Sequence, residues 1–362
     1  RAFAARSAED DFGAREQLEA ARRRDEAFPA DVEALDGLLR LVAPDRLPEV
    51  AWRLELAGGY TTNALLGAPT DPSHADADIE TGSPMVTTDV WMRLTPDFGF
   101  WLKPTVELMP KLQVFPFEAV RGQSFLDLSG RVGVYLDWDL PRILLAYRTS
   151  YLLLFGTPGE APVWYYASHR AEVEAEITPW LMAFAGAGSR QFDEMGRSRS
   201  EVDGGFGGGL EFVDDLFILW TVVGRGMWAR DPAYDVGGIT SGFHFQYRWE
   251  EGFSSRAGVT VAGDWYPDSA GAEAFGGEGP EREDLFVRAS YQLWSPALWG
   301  VRLGVSYDYS YRDSTLPAYD FDDQRLLLKL AWTGTAEMVE PRSSTTPAAA
   351  DFDSGVGGGE SA

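Results

Sequence analysis

Between Val50 and Trp332 the chain alternates apolar and polar residues with a period of two, in about fourteen segments. Successive side chains of a pleated strand leave opposite faces, so each segment has one apolar face and one wet face. In the clearest case Val305, Tyr307, Tyr309 and Tyr311 interleave with Ser306, Asp308 and Ser310. A soluble sheet hides its apolar face beneath a second layer, whereas a barrel in an outer membrane turns that face towards lipid.

The other segments follow the same rule. Trp52, Leu54 and Leu56 oppose Arg53, Glu55 and Ala57; Val86, Val90 and Met92 oppose Thr87, Asp89 and Arg93. Leu102, Val106 and Leu108 oppose Lys103, Thr105 and Glu107, and Leu128, Val132 and Val134 oppose Ser129 and Arg131. Val173 and Ile177 oppose Arg170, Glu172, Glu174 and Glu176. Alternation is weaker over 180–228 and sharpens again beyond 237.

The connections carry independent information. Thr95-Pro96, Asp139 to Arg142, Asp214-Asp215, Glu250-Glu251-Gly252 and Ser295-Pro296 are tight turns of turn-favouring residues. Intervening connections read as longer, most clearly 63–83, 111–123, 190–200, 266–283 and 313–320. Short turns on one side and long loops on the other mark an up-and-down membrane barrel, and Greek-key sandwiches have no reason for that asymmetry. The expected fold is therefore all-β: an antiparallel transmembrane barrel of about fourteen strands over 50–332. Both of its ends fall on the short-turn, periplasmic side. Trp52, Trp138, Trp180, Trp228, Trp249, Trp265 and Trp332, near strand ends, suit the two lipid–water boundaries.

Composition removes other classes. With 31 basic and 56 acidic side chains the net charge is −25, which opposes nucleic-acid binding. There is no cysteine, hence no thiol chemistry and no thiolate-held metal. No apolar run approaches the ~18 residues of a membrane helix, so any span must be built from strands. No cofactor is expected.

The wet phase is charged with both signs. Arg53, Glu55, Asp89, Arg93, Lys103, Glu107, Arg131, Arg170, Glu172, Glu174, Glu176, Arg248, Arg288, Arg302 and Asp308 are the residues expected to line a pore or substrate path. Asp137, Arg256, Asp264, Arg325 and Lys329 share their phase. Two readings stand side by side: these charges set ion preference or guide a solute, or they neutralise one another and stiffen the wall. Catalysis would need a carboxylate–histidine or serine–histidine set. The only histidines are His74 in an acidic loop, His244 on the wet phase and His169, which falls on the lipid phase at some cost. The run from Gly204 to Gly209 lacks the Lys-Ser/Thr and helix of a phosphate loop. It reads as sheet curvature, or as a wall accommodating an inward loop or passing substrate.

Residues 1–49 differ. Leu18 and Ala21, then Val32, Leu35, Leu38 and Val42 after a cap at Asp31, outline two short amphipathic helices, expected as a periplasmic segment. Residues 333–362, rich in Ser, Thr, Pro, Ala and Gly, read as a disordered tail.

A helical remnant leading into such a barrel resembles the surface lipoprotein assembly modifier family and related tetratricopeptide-repeat-plus-barrel proteins. The run from Leu56 through Gly58, Gly59 and Tyr60 to Asn63 stands where that family has a Gly-Tyr-Asp-x-Asn-like strand end, with Thr61 in place of the Asp. The hairpin from Tyr307 to Arg325 closes the likeness. The resemblance implies a conduit for export or surface delivery of lipoproteins or other macromolecules, with a periplasmic partner or lipoprotein client, and further helical repeats upstream of Arg1. A passive porin-type diffusion channel and an outer-membrane barrel hydrolase are the alternatives. Outer-membrane lipid is the expected surrounding in each case.

Overall fold

The computed structural model describes residues 50–63, 82–96, 101–116, 124–136, 141–155 and 162–336, less 179, 194, 214, 250–251, 268–281 and 317–319. The helices expected before Val50, His74 and the tail beyond Ala336 lie outside the described residues.

Every segment that alternates becomes a strand. In chain order they are β1 (Val50–Thr61), β2 (Ser83–Leu94), β3 (Leu102–Val114), β4 (Phe125–Leu136), β5 (Arg142–Leu154), β6 (Val163–Thr178) and β7 (Leu181–Phe192). There follow β8 (Arg199–Val213), β9 (Leu216–Ala229), β10 (Val236–Arg248), β11 (Ser254–Tyr266), β12 (Arg282–Trp294), β13 (Val301–Ser314) and β14 (Phe321–Ala336). Each pairs antiparallel with its sequence neighbours, and β1 pairs with β14 from Val50↔Ala336 to Thr61↔Arg325, closing the barrel. Closure removes the exposed edge that an open sheet would present. The last strand runs past Trp332, pairing Thr333 with Arg53.

Register sorts the side chains into two faces. On β1, Trp52, Leu56 and Tyr60 are exposed while Ala51, Ala57 and Thr61 are buried; on β2, Val86, Met92 and Leu94 are exposed and Met85 and Arg93 buried. The same inversion recurs at Val106, Leu108, Val132, Leu145, Val173, Phe206, Phe243, Val259, Leu303, Leu326 and Leu328, all exposed. A continuous apolar outer face of this extent belongs in hydrocarbon, not water. Trp52, Trp180 and Trp249 ring one end of it and Tyr60, Trp228, Trp265 and Tyr311 the other, as the girdles of an outer-membrane barrel do. No helix among the described residues is long and apolar enough to cross a membrane.

The connections depart in part from expectation. At the end holding the long connections, 62–82 and 267–281 stay long, but β7–β8 and β9–β10 are joined through single 3-10 turns at Met195–Arg197 and Pro232–Tyr234. Strand β7 runs on to Phe192 and β8 begins at Arg199, so the connection is shorter at both ends than the expected loop over 190–200. At the other end, Asp215, Trp299, Gly252 and Gly300 adopt positive φ, the tight geometry of the short turns. That end, with both barrel termini, is periplasmic by the usual asymmetry.

Apolar packing sits inside the wall, towards the long-connection end. Phe125, Leu152, Leu154, Tyr165 and Phe192 form one cluster, Ala57, Met85, Phe115 and Leu327 a second, and Ala262, Phe286 and Phe321 a third. Leu152 and Leu154 belong to an unbroken leucine run in which alternation cannot be seen. Tyr165 turns inward because the β5–β6 register shifts at Leu152/Leu153. In β3, Pro104 and Pro110 supply no N–H to the ladder. The β2–β3 pairing accordingly skips Met109 and Pro110 without changing register.

Candidate functional site

The fifteen side chains expected on the path project from the face opposite the exposed hydrophobics. They are Arg53 and Glu55 on β1, Asp89 and Arg93 on β2, Lys103 and Glu107 on β3, and Arg131 on β4. Arg170, Glu172, Glu174 and Glu176 come from β6, Arg248 from β10, Arg288 from β12, and Arg302 and Asp308 from β13.

The barrel gathers most of them into bridges that span strands. Arg131 has Glu172 at 2.8 Å, Glu107 at 3.9 Å and Glu174 in direct contact, so one guanidinium ties β3 and β4 to β6. Arg170 meets Glu172 at 3.2 Å and reaches Asp203 on β8. Arg288 donates to Asp308 at 2.7 Å, Lys329 to Glu55 at 2.9 Å, and Arg142 to Glu176 at 3.2 Å. Arg53 and Asp89 stand 3.7 Å apart and are the more exposed pair. Arg93 lies over the ring of Trp91, 5.3 Å from its centroid, and Lys103 stands in register with Tyr135. Arg248 and Arg302 contact neutral groups: Arg248 stacks on Phe217, and Arg302 donates to Ser254 Oγ and the Ser295 carbonyl.

Sequence reasoning passed over Arg190, Glu201, Asp203, Arg225, Arg282, Asp284 and Arg312. Arg225 donates to both oxygens of Asp264 at 2.5 Å, and Arg282 holds Asp284 at 2.6 Å. Glu201 sits between Arg190 at 3.1 Å and Arg199 at 2.7 Å. For Arg190, Glu201, Asp203 and Arg225 the signal was hidden by glycine, which blurs alternation over 186–242; Arg282, Asp284 and Arg312 share the inward phase of Arg288 and Asp308 and could have been found from it. Those glycines are clearances. A Cβ on Gly186 would collide with the Arg170 guanidinium on its way to Asp203, and one on Gly238 with Arg225 and Asp264. Side-chain passage, rather than curvature alone, explains glycine at these two positions.

A depression in the small-residue wall, about 410 Å³, opens on the outer face between outward-facing Val173, Ala183, Ala185, Gly204, Phe206 and Val222. It therefore faces hydrocarbon, away from any solute path.

The histidines are separated. His244 is buried on the inner face with Arg256 Nη2 3.4 Å from its Nδ1. His169 does face lipid: it pairs with Thr149 in the same phase as its neighbours, and the bulge lies nearer the strand start. Its cost is reduced by the Tyr147 hydroxyl, 3.0 Å from Nδ1, and by stacking on Tyr147 and an edge contact with Tyr151. Among the described residues no group of three or more His, Cys, Asp or Glu side chains could hold a metal ion.

No family model matches the chain, and no curated protein does. Solved structures similar to it include a bacterial polysaccharide outer membrane secretin, at 11% identity over 80% of this chain and 100% of that one, TM-score 0.44. Acinetobacter baumannii OccAB4 aligns at 10% identity over 81% and 100%, TM-score 0.39. Pseudomonas aeruginosa OccD3 (OpdP) aligns at 7% over 85% and 98%, TM-score 0.41. The expected kinship with the surface lipoprotein assembly modifier family is thereby corrected. No family model matches, and the solved barrels that align include Occ, Opd and secretin proteins. Residues 56–61 of the first motif pair with β14, and the second motif falls on β13 and β14, of which β14 closes the seam with β1. There, Thr61 Oγ1 and the Asn63 amide both donate to Asp323.

Proposed function

We propose that this outer-membrane barrel is a passive diffusion channel for small polar solutes. The reading rests on one observation: the inner wall is lined over most of its circumference by charged side chains ordered through bridges between strands. Such a wall suits water and disfavours apolar filling. Fourteen strands place the barrel between eight-stranded barrels filled by side chains and the 16–18-stranded porins with open channels. The three inner apolar clusters near the outer end narrow the path there and limit it to small solutes.

Single-channel recording of the purified full chain in a planar bilayer tests this. Long-lived ohmic openings in simple salt are expected; a membrane that stays silent with the folded barrel inserted would overturn it. A macromolecular exporter would give closed recordings and a co-purifying periplasmic protein.

A further inference from the structure

We propose that Arg248, Arg256 and Arg302 form an oxyanion-binding site on the inner wall at the periplasmic mouth, for the carboxylate or phosphate group of a passing solute. This rests on the channel reading and names the solute class.

The three arginines come from β10, β11 and β13, within two residues of one register level. Arg248 on β10 is in register with Ser254 on β11, and Ser254 with Trp294 on β12. Arg302 starts on β13 and crosses β12, so that its Nη2 donates to Ser254 Oγ at 2.7 Å while Nε donates to the Ser295 carbonyl at 2.9 Å. Its guanidinium thus arrives beside the register position of Arg248. Arg256 stands one inward step above Ser254, between Gln246 and Gln292.

What sets Arg248 and Arg302 apart is the kind of partner they have. Elsewhere on the wall Arg131, Arg170, Arg225, Arg282 and Arg288 each hold a carboxylate. The ion pairs of the described residues include neither Arg248 nor Arg302. Neutral groups orient them instead: Arg248 lies 4.7 Å over Phe217, and Arg302 5.9 Å from the Trp294 centroid. Gly304 makes room for that Trp294 ring. Like charges held together by neutral supports are unfavourable until an anion enters between them. A planar guanidinium fork matches a carboxylate or phosphate in bidentate fashion, and serine and glutamine amide donors complete the set. Arg248 is exposed, so the site is reachable from water. The acids nearest in the chain, Glu250 and Glu251, lie outside the described residues and enter the test as controls.

The test uses the full chain in two measurements. In planar bilayers, inorganic phosphate or glutarate added on the periplasmic side is expected to block chloride current in a concentration-dependent way. R248Q and R302Q should each raise the half-blocking concentration about tenfold, the loss of one charge-assisted bond. R302K should recover part of it, and E250Q/E251Q should leave the block in place or strengthen it. Block by phosphate with none by glutarate assigns the site to phosphate esters, and the reverse to carboxylates. Unchanged block in the R248Q/R302Q double variant overturns the site. Titration of detergent-solubilised protein, followed by Trp294 fluorescence against a W294F control, separates the two readings. Saturable binding that is lost in R248Q/R302Q, without any conductance, upholds the site and sinks the channel. Open conductance with neither block nor binding does the opposite.

Discussion

Arg225 on β9 donates both hydrogen bonds of a 2.5 Å pair to Asp264 on β11, passing over Gly238 on the strand between them. Both side chains are 5% exposed, so the pair is dehydrated despite facing the lumen. A buried pair broken on one side leaves an uncompensated charge, which is costlier than losing both partners. Asp264→Ala should therefore destabilise the barrel by about 3 kcal/mol, and Arg225→Met/Asp264→Leu by less. Urea unfolding in lipid vesicles measures both. Equal losses would show that the pair is not coupled.

Gly238 carries the second test of that relationship. Gly238→Leu places carbon where the Arg225 and Asp264 heads lie, and overpacking of this kind costs about 1–3 kcal/mol. Gly263, next to Asp264 but facing outward, has nothing within contact of an added Cβ and should accept alanine with little change in unfolding midpoint.

Arg131 holds Glu107, Glu172 and Glu174 together. Arg131→Gln leaves three carboxylates facing one another on the lumen wall. The expected outcome is a reversal potential shifted towards cation preference, with lower stability that added divalent cations partly restore. A reversal potential unmoved by the substitution would mean that this sector does not border the conducting path.

Alternation itself can be read by spin labels. A nitroxide at Val173 should be accessible to oxygen dissolved in the bilayer, and one at Glu172 to a water-soluble nickel chelate. His169→Leu removes a polar group from the lipid face together with its Tyr147 partner. It should leave conductance unchanged and stability within about 1 kcal/mol, since the imidazole bond and its desolvation largely offset.

Ring closure has a covalent test, simplified by the absence of native cysteine. Glu55→Cys and Ala331→Cys stand opposite one another across the β1–β14 seam. Oxidation should join the first and last strands and speed migration in a denaturing gel after boiling. Failure to cross-link in the folded, heat-shifted form would place the chain ends apart.

Side-chain phase is a local property. A pleated strand alternates whatever its neighbours do, so Arg53, Glu107, Glu172 and Asp308 could be assigned a face from their flanking residues alone. Alternation fails where glycine or an unbroken apolar run hides it. That is why Arg225 and Asp203, and the inward Leu152, Leu154 and Tyr165, were not legible. The 3-10 turns after β7 and β9 were also hidden, because polar loop composition does not reveal how far the ladder extends into it.

The sequence by itself determined that this chain makes amphipathic strands, that there are fourteen, and which face of each wants lipid. It could not determine which charge meets which. Arg170 finds Asp203, and Arg302 arrives beside Arg248, only once the register of the strands between them brings them together. Alternation is written in adjacent residues, whereas a bridge depends on the relative offset of whole strands, and closure of the barrel sets that offset.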